Sequence, residues 1–256
     1  MKVRPTTPRA VSIRRRPDSF IAANASGSCS IRVCSVTGVE KTSVVDLRDA
    51  VVLLGSFPAL AEATFRVEPG ELVVVHGANG AGKTTLLRLC AGLLPVARGS
   101  ARVMGLDITR ERDAVRSAVG FLGHANGLYL DLTAGENLAF WGGIVGAGSA
   151  EVAAAAERMG LTQRLLTTPV ARLSAGQKRR TALAVMAVRR ASLWLLDEPH
   201  AGLDAAGRDG IDELLRDAVA AGATVIVASH ELERSASLAS RRVEVVGGRI
   251  VERSGS

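Results

Sequence analysis

The sequence predicts an α/β domain, a mostly parallel sheet interrupted by a helical insert. Three observations carry that expectation. The β-branched run Leu72-Val73-Val74-Val75-His76 leads into the glycine-rich stretch Gly77-Ala78-Asn79-Gly80-Ala81-Gly82-Lys83-Thr84, and Thr85-Leu86-Leu87-Arg88-Leu89-Cys90 then reads as helix. Two later runs, Leu193-Trp194-Leu195-Leu196 and Thr224-Val225-Ile226-Val227-Ala228, are apolar without alternation, as strands covered on both faces are. Between the glycine loop and those strands lie capped and alanine-rich helical segments. Strands alternating with helices imply a parallel sheet.

Taken in order, residues 1–45 hold Pro, Ser, Thr and Arg without periodicity and are expected to form a basic, disordered tail. Val44–Leu54 contains Val51-Val52-Leu53-Leu54, a candidate edge strand, and Gly55-Ser56-Phe57-Pro58 turns the chain. Glu68-Pro69-Gly70-Glu71 is a tight turn ahead of the glycine loop. The helix after the loop is expected to reach Ala91, and Gly92–Gly99, with Pro95 inside, breaks it. Thr133-Ala134-Gly135-Glu136 is a capping box, Gly142–Gly148 a flexible break, and Ala150–Met159 an alanine-rich helix. Ser174-Ala175-Gly176-Gln177 is a second capping box, opening a helix to about Arg190. Val243–Val246 and Arg249–Glu252, joined by Gly247-Gly248, read as a hairpin.

Composition narrows the classes. With 256 residues, one large domain with an insert can bury a sizeable core. The formal charge of +7 invites a nucleic-acid partner, but its distribution does not. Residues 1–45 carry eight Lys/Arg against Asp18 and Glu40, a net +6 that leaves only +1 for the rest. The three cysteines, Cys29, Cys34 and Cys90, have no metal-ligand spacing and no disulfide pattern, which suits a reducing compartment. No apolar stretch approaches the length of a membrane span, and the start lacks the apolar core of a secretory signal.

The chemistry begins at the glycine loop, which fits G-x-x-x-x-G-K-[ST] in the strand–loop–helix context the motif needs. Its backbone N–H groups and the helix N-terminus suit a phosphate; Lys83 would reach the β- and γ-phosphates of ATP and Thr84 would hold Mg²⁺. Asp197, ending an apolar strand, is placed for the Mg²⁺ shell, and Glu198 beside it for orienting or deprotonating water. His230 ends a neighbouring strand and could sense the γ-phosphate, while Ser174 and Gly176 open a helix that could meet an anion. His76 reads as a structural contact, His200 as exposed in a turn, and Arg179-Arg180 with Arg189-Arg190 as a solvated helix face.

The pentapeptide Leu173-Ser174-Ala175-Gly176-Gln177 resembles the ATP-binding cassette (ABC) signature, with Ala175 in place of a glycine. The resemblance covers nearly all of residues 46–252. It implies a P-loop NTPase of ABC type spanning 46–256, with an antiparallel β subdomain beside the parallel core and a helical subdomain at about 124–172. Asp197-Glu198 then matches the Walker B end, Gly202-Leu203-Asp204 the D-loop and His230 the switch histidine. Two subunits, a second copy or a paralogue, would sandwich two ATP molecules head to tail. The nucleotide contacts this implies are Gly77 to Thr85 of one chain with Ser174, Gly176, Gln177 and Asp204. Two departures stand out. The aromatic that stacks adenine in the family falls by position on Leu54, with Phe57 nearby, and the Q-loop glutamine is replaced by His124, a potential bridge to a metal-bound water. Gly123-His124, Leu132-Thr133-Ala134, Glu136-Asn137-Leu138 and Leu173 to Arg180 look like the ATP-binding subunit of the bacterial cytochrome c maturation haem exporter. That resemblance implies an ATPase working at the cytoplasmic face of the membrane with integral membrane subunits, and no nucleic acid. Alternatives left open are an exporter subunit for a drug or lipid, and a soluble ABC ATPase; the 90 positions between Lys83 and Leu173 are too few for the long coiled-coil kind.

Overall fold

The uninterrupted apolar runs form the central sheet of the computed structural model, which describes residues 21–23, 29–31, 43–230, 234 and 237–251. Two short strands, β1 (Ile21–Ala23) and β2 (Cys29–Ile31), pair antiparallel inside the segment expected to lack structure. Ser43 and Val45 are already buried, so packing starts before residue 46.

Two β-sheets make up the body of the protein. The antiparallel sheet has the order β4-β3-β6-β7, built from β3 (Val45–Leu54), β4 (Phe57–Val67), β6 (Arg98–Val103) and β7 (Leu106–Asp107). The sequence predicts Val51–Leu54 as an edge, yet β3 lies between β4 and β6. The reason is β4, which the sequence hides. Pro58 and the alanines at 59, 61 and 63 weaken its β signal, and Glu62 adopts φ 54 at a break in the ladder.

The second sheet has the order β12-β11-β5-β10-β9-β8. Its members are β5 (Leu72–His76), β8 (Val119–Leu122), β9 (Leu193–Asp197), β10 (Thr224–Ala228), β11 (Arg241–Val246) and β12 (Arg249–Val251). All neighbours run parallel except β11 and β12, the expected hairpin. Successive side chains of a strand point to opposite faces, and here both faces are core. Leu72, Val74, Trp194, Leu196, Val225 and Val227 enter one apolar cluster; Val73, Val75, Leu193, Leu195, Ile226 and Ala228 enter the other. Each large side chain so buried contributes about 1.5–3 kcal/mol.

The second cluster is closed by α1 (Lys83–Cys90) and the antiparallel sheet. Cys90 lies there as a fully buried core residue, its thiol pushed up to about 12 by desolvation. A short helix, α2 (Arg112–Ala118), leads into β8. The first cluster is closed by α3 (Ala134–Val145), α4 (Ser149–Arg158), α5 (Gln163–Leu166), α6 (Ala175–Val188) and α7 (Ala205–Ala220). Both expected capping boxes form: Thr133 Oγ1 accepts from Glu136 N at 3.1 Å, and Ser174 Oγ from Gln177 N at 3.2 Å. The break expected at Gly142–Gly148 comes later, because α3 runs through Gly142 to Val145 before Gly146 turns left-handed at φ 68. Gly142 is a close-packing site: a Cβ there would lie 2.8 Å from Val152 of α4.

Candidate active site

Every strand that carries chemistry delivers it at the carboxyl edge of the parallel sheet, where ligands of open α/β sheets bind. β5 leads into the glycine loop, β8 into Gly123-His124, β9 ends at Asp197, and β10 leads to Ser229-His230. Because β10 lies between β5 and β9, Ala228 stands level with both Val75 and Asp197, which brings distant segments to one edge.

The glycine loop is tight for steric reasons. Gly77 has φ 145, and a Cβ would lie 2.3 Å from Val245 O; Gly82 has φ 115, with Ala59 O at 2.7 Å. α1 starts directly after Gly82 with no side-chain cap, so its first N–H groups face the loop. Lys83 is 7% exposed, and its ammonium donates to Gly77 O at 2.7 Å and Ala78 O at 3.0 Å. Thr84 Oγ1 donates to Asp197 Oδ2 at 2.8 Å, joining the loop to the end of β9. Glu198 Oε2 stands 2.9 Å from His230 Nδ1, joining β9 to β10.

Gly82, Lys83, Thr84, Asp197 and Glu198 border a cavity of about 510 Å³ that also touches Asn79, Gly80, Thr85, Arg88 and His124; Gly77, Ala78 and His230 stand outside its lining. Leu54 and Phe57, from opposite sides of the β3–β4 turn, line it too, and Phe57 is 67% exposed. Ala81 instead packs into the core. Ser174, Gly176, Gln177 and Asp204 do not line it. The first three open α6, where Gln177 Oε1 accepts from Ser174 N at 2.9 Å and Gly176 packs so close to the D-loop that a Cβ would lie 2.8 Å from Gly202 O. The Asp204 carboxylate caps α7, accepting from Gly207 N at 2.9 Å.

Glu198 adopts φ 49, the left-handed region that costs a non-glycine residue about 1–2 kcal/mol. Three of the basic side chains expected on a solvated face are engaged instead. Arg179 is buried and donates to the carbonyls of Gly123 (2.7 Å), Glu198 (2.7 Å), Pro199 (3.2 Å) and Asp197, and to Asn126 Oδ1 (3.1 Å). Burial pulls its guanidinium down to about 10, an effect the Asp197 and Glu198 carboxylates partly offset. Arg189 stacks 4.5 Å from the Trp141 ring, and Arg190 pairs with Glu151 of α4. His200 is also corrected. It is 3% exposed, its Nε2 is 2.7 Å from Asp212 Oδ1, and Arg234 Nη1 donates to Asp212 Oδ2 at 2.6 Å. A signal for Arg179 was present: it lies three, four and seven places before buried Ala182, Leu183 and Met186, on their face of the helix.

A glycine loop tied through Thr84 to a strand-end aspartate, with a glutamate–histidine pair on adjoining strand ends, defines a nucleotide-binding protein of the P-loop class. Residues 60–201 match the family model described as ABC transporter, and the chain belongs to that family. It is 45% identical over 166 residues to the cytochrome c biogenesis ATP-binding export protein CcmA of Bordetella bronchiseptica, spanning 64% of this chain and 74% of the relative. With the protein of the same name from Vibrio vulnificus it shares 38% over 195 residues, 75% of this chain and 92% of that one. Among solved structures, the ATP binding subunit of an ABC transporter superposes with a TM-score of 0.73 at 26% identity, covering 81% of this chain and 88% of that chain. A bacterial Atm1-family ABC exporter with ATP bound superposes with a TM-score of 0.73 at 28% identity, over 87% and 41%. A dimeric bacterial ABC transporter cassette, 21% identical with a TM-score of 0.74 over 83% and 100%, shares the fold.

Proposed function

We propose that this chain is the ATP-hydrolysing subunit of a membrane export complex that handles haem in cytochrome c biogenesis. The observation that carries the ATPase reading is the link from Thr84 to Asp197 beside the Glu198–His230 pair, at the mouth of the glycine loop. The cytochrome c assignment is supported by relatives named for that process.

In this reading the loop N–H groups and Lys83 hold the β- and γ-phosphates. The Thr84 hydroxyl and Asp197 carboxylate, 2.8 Å apart, are oxygen donors that suit Mg²⁺, which would neutralise charge on the phosphates. Glu198 accepts the proton of the water attacking the γ-phosphorus, and the bond to the bridging oxygen breaks to release ADP and phosphate. His230 holds the Glu198 carboxylate in place. His124 reaches the cavity from the β8 side, and Phe57 offers its ring to the adenine. Ser174 and Gly176 act on the ATP of a second subunit, since they stand outside their own chain's cavity.

In this reading the chain works with separate membrane subunits at the cytoplasmic face of the membrane; no helix among the described residues is long and apolar enough to cross a membrane. The surface best suited to them is an exposed apolar patch on the helical insert. Tyr129 meets Phe140 edge-on at 5.1 Å, and Ile144 follows Phe140 by one helical turn, each more than 40% exposed. Two variants test the reading in a cell that makes c-type cytochromes. Lys83→Ala is expected to abolish covalent haem attachment to cytochrome c, read by haem-stained gels. Phe140→Glu is expected to leave the purified chain's ATP affinity unchanged and to lose the chain from the membrane fraction. Normal cytochrome c levels with Lys83→Ala would remove the assignment.

A further inference from the structure

The geometry points to Arg179 as a positioning residue for ATP hydrolysis: it clamps the backbone turn that presents Glu198 and ties that turn to the His124 loop. This rests on the ATPase reading above and goes beyond it. Arg179 lies on α6, outside the glycine loop and the β9 strand end; it does not itself line the cavity but bonds the main chain of Asp197 and Glu198, which do. A guanidinium has five N–H donors in a rigid fork. Five hydrogen bonds are made here, four of them to main-chain carbonyls. Three of those carbonyls are consecutive, at Asp197, Glu198 and Pro199, and the fourth belongs to Gly123, immediately before His124.

Those consecutive carbonyls surround the one residue of the site held in a costly backbone conformation. Glu198 has φ 49, and its N–H is also fixed, donating to Ala228 O at 2.9 Å. Strained backbone persists where its surroundings over-determine it. Arg179 supplies that determination from below, while His230 holds the carboxylate from above. A lysine could keep the charge but, with one nitrogen, could not span Gly123 and the 197–199 turn together. Through α6 the same arginine joins the helix that opens with Ser174 to the place where water is activated.

The test uses the full chain with Mg-ATP and compares Arg179→Lys, Arg179→Gln and Asn126→Ala with the unmodified protein. Displacing a catalytic group by about 1 Å costs on the order of 10²-fold. The expected result for both Arg179 variants is a kcat lowered about that much, with the KM and the affinity for a fluorescent ATP analogue changed less than about twofold. Asn126→Ala, which leaves the carbonyl clamp in place, is the control and is expected to change kcat at most a few-fold. The decisive comparison adds Arg179→Gln to Glu198→Gln. If the arginine acts through Glu198, it lowers the residual turnover no further. A full additional loss in the double variant overturns the proposal, as does an unchanged kcat in a folded Arg179→Gln. If Arg179→Gln does not fold, Arg179→Lys decides in its place, and an unchanged kcat there overturns the proposal. Absence of turnover in the unmodified chain and its complex would fail the ATPase reading instead.

Discussion

Glu198→Gln is expected to lower ATP turnover by about 10²–10⁴-fold while leaving ATP binding intact. The expectation follows from a division of labour at the end of β9. Asp197 is engaged with Thr84, and Lys83 with the loop carbonyls, so the groups that hold nucleotide do not depend on the Glu198 side chain. The Glu198 carboxylate is directed instead to His230 at 2.9 Å. An amide of the same shape keeps the turn and loses the capacity to take a proton. Phosphate release and binding of a fluorescent ATP analogue, measured on the same preparation, separate the two effects. Turnover within a few-fold of the unmodified chain would take Glu198 out of the role and leave His124, which also lines the cavity, as the group to test.

A mixture of Lys83→Ala and Ser174→Arg chains is expected to regain activity that neither has alone. Lys83 borders the cavity and Ser174 does not; in the proposed reading a complete site takes Ser174 from another chain. In a mixed pair both defects fall on one composite site, and the other site is intact. Random pairing makes half the dimers mixed with one working site each, so about a quarter of full turnover should return. Sites that must fire together would return none, and light scattering in a Glu198→Gln background distinguishes that case. Saturating Mg-ATP should drive this background to dimers, with the membrane subunits present if they are required. A population that stays monomeric under those conditions would end the shared-site model.

The parts of the fold and site that were legible in the sequence share one property: their physical cause is local. The glycine loop is readable because backbone curling at Gly77 and Gly82 excludes a side chain at those positions. The starts of α3 and α6 are readable because each capping box closes within four residues. β9 and β10 are readable because a strand covered on both faces has no polar alternation to disguise it. Membership of the ABC family rested on such stretches, in the order they occur along the chain.

Tertiary structure decided what local chemistry leaves open. β4 exists because β3 and the turn at Gly248 offer it partners, with Ala61 N donating to Gly248 O at 2.9 Å; its own proline and alanines would not demand a strand. His200 and Arg179 have the composition of surface residues, and their burial depends on what arrives from elsewhere. For His200 it is Asp212 on α7; for Arg179 it is a set of carbonyls from positions 123 and 197–199. A charged side chain enters a core only where partners meet its donors, and those partners lie 12 to 56 positions away in sequence. Nearby residues therefore determined the elements and the phosphate-binding chemistry of this protein. The folded sheet alone, by bringing four strand ends to one edge, decided that a helix arginine would lie beneath Glu198.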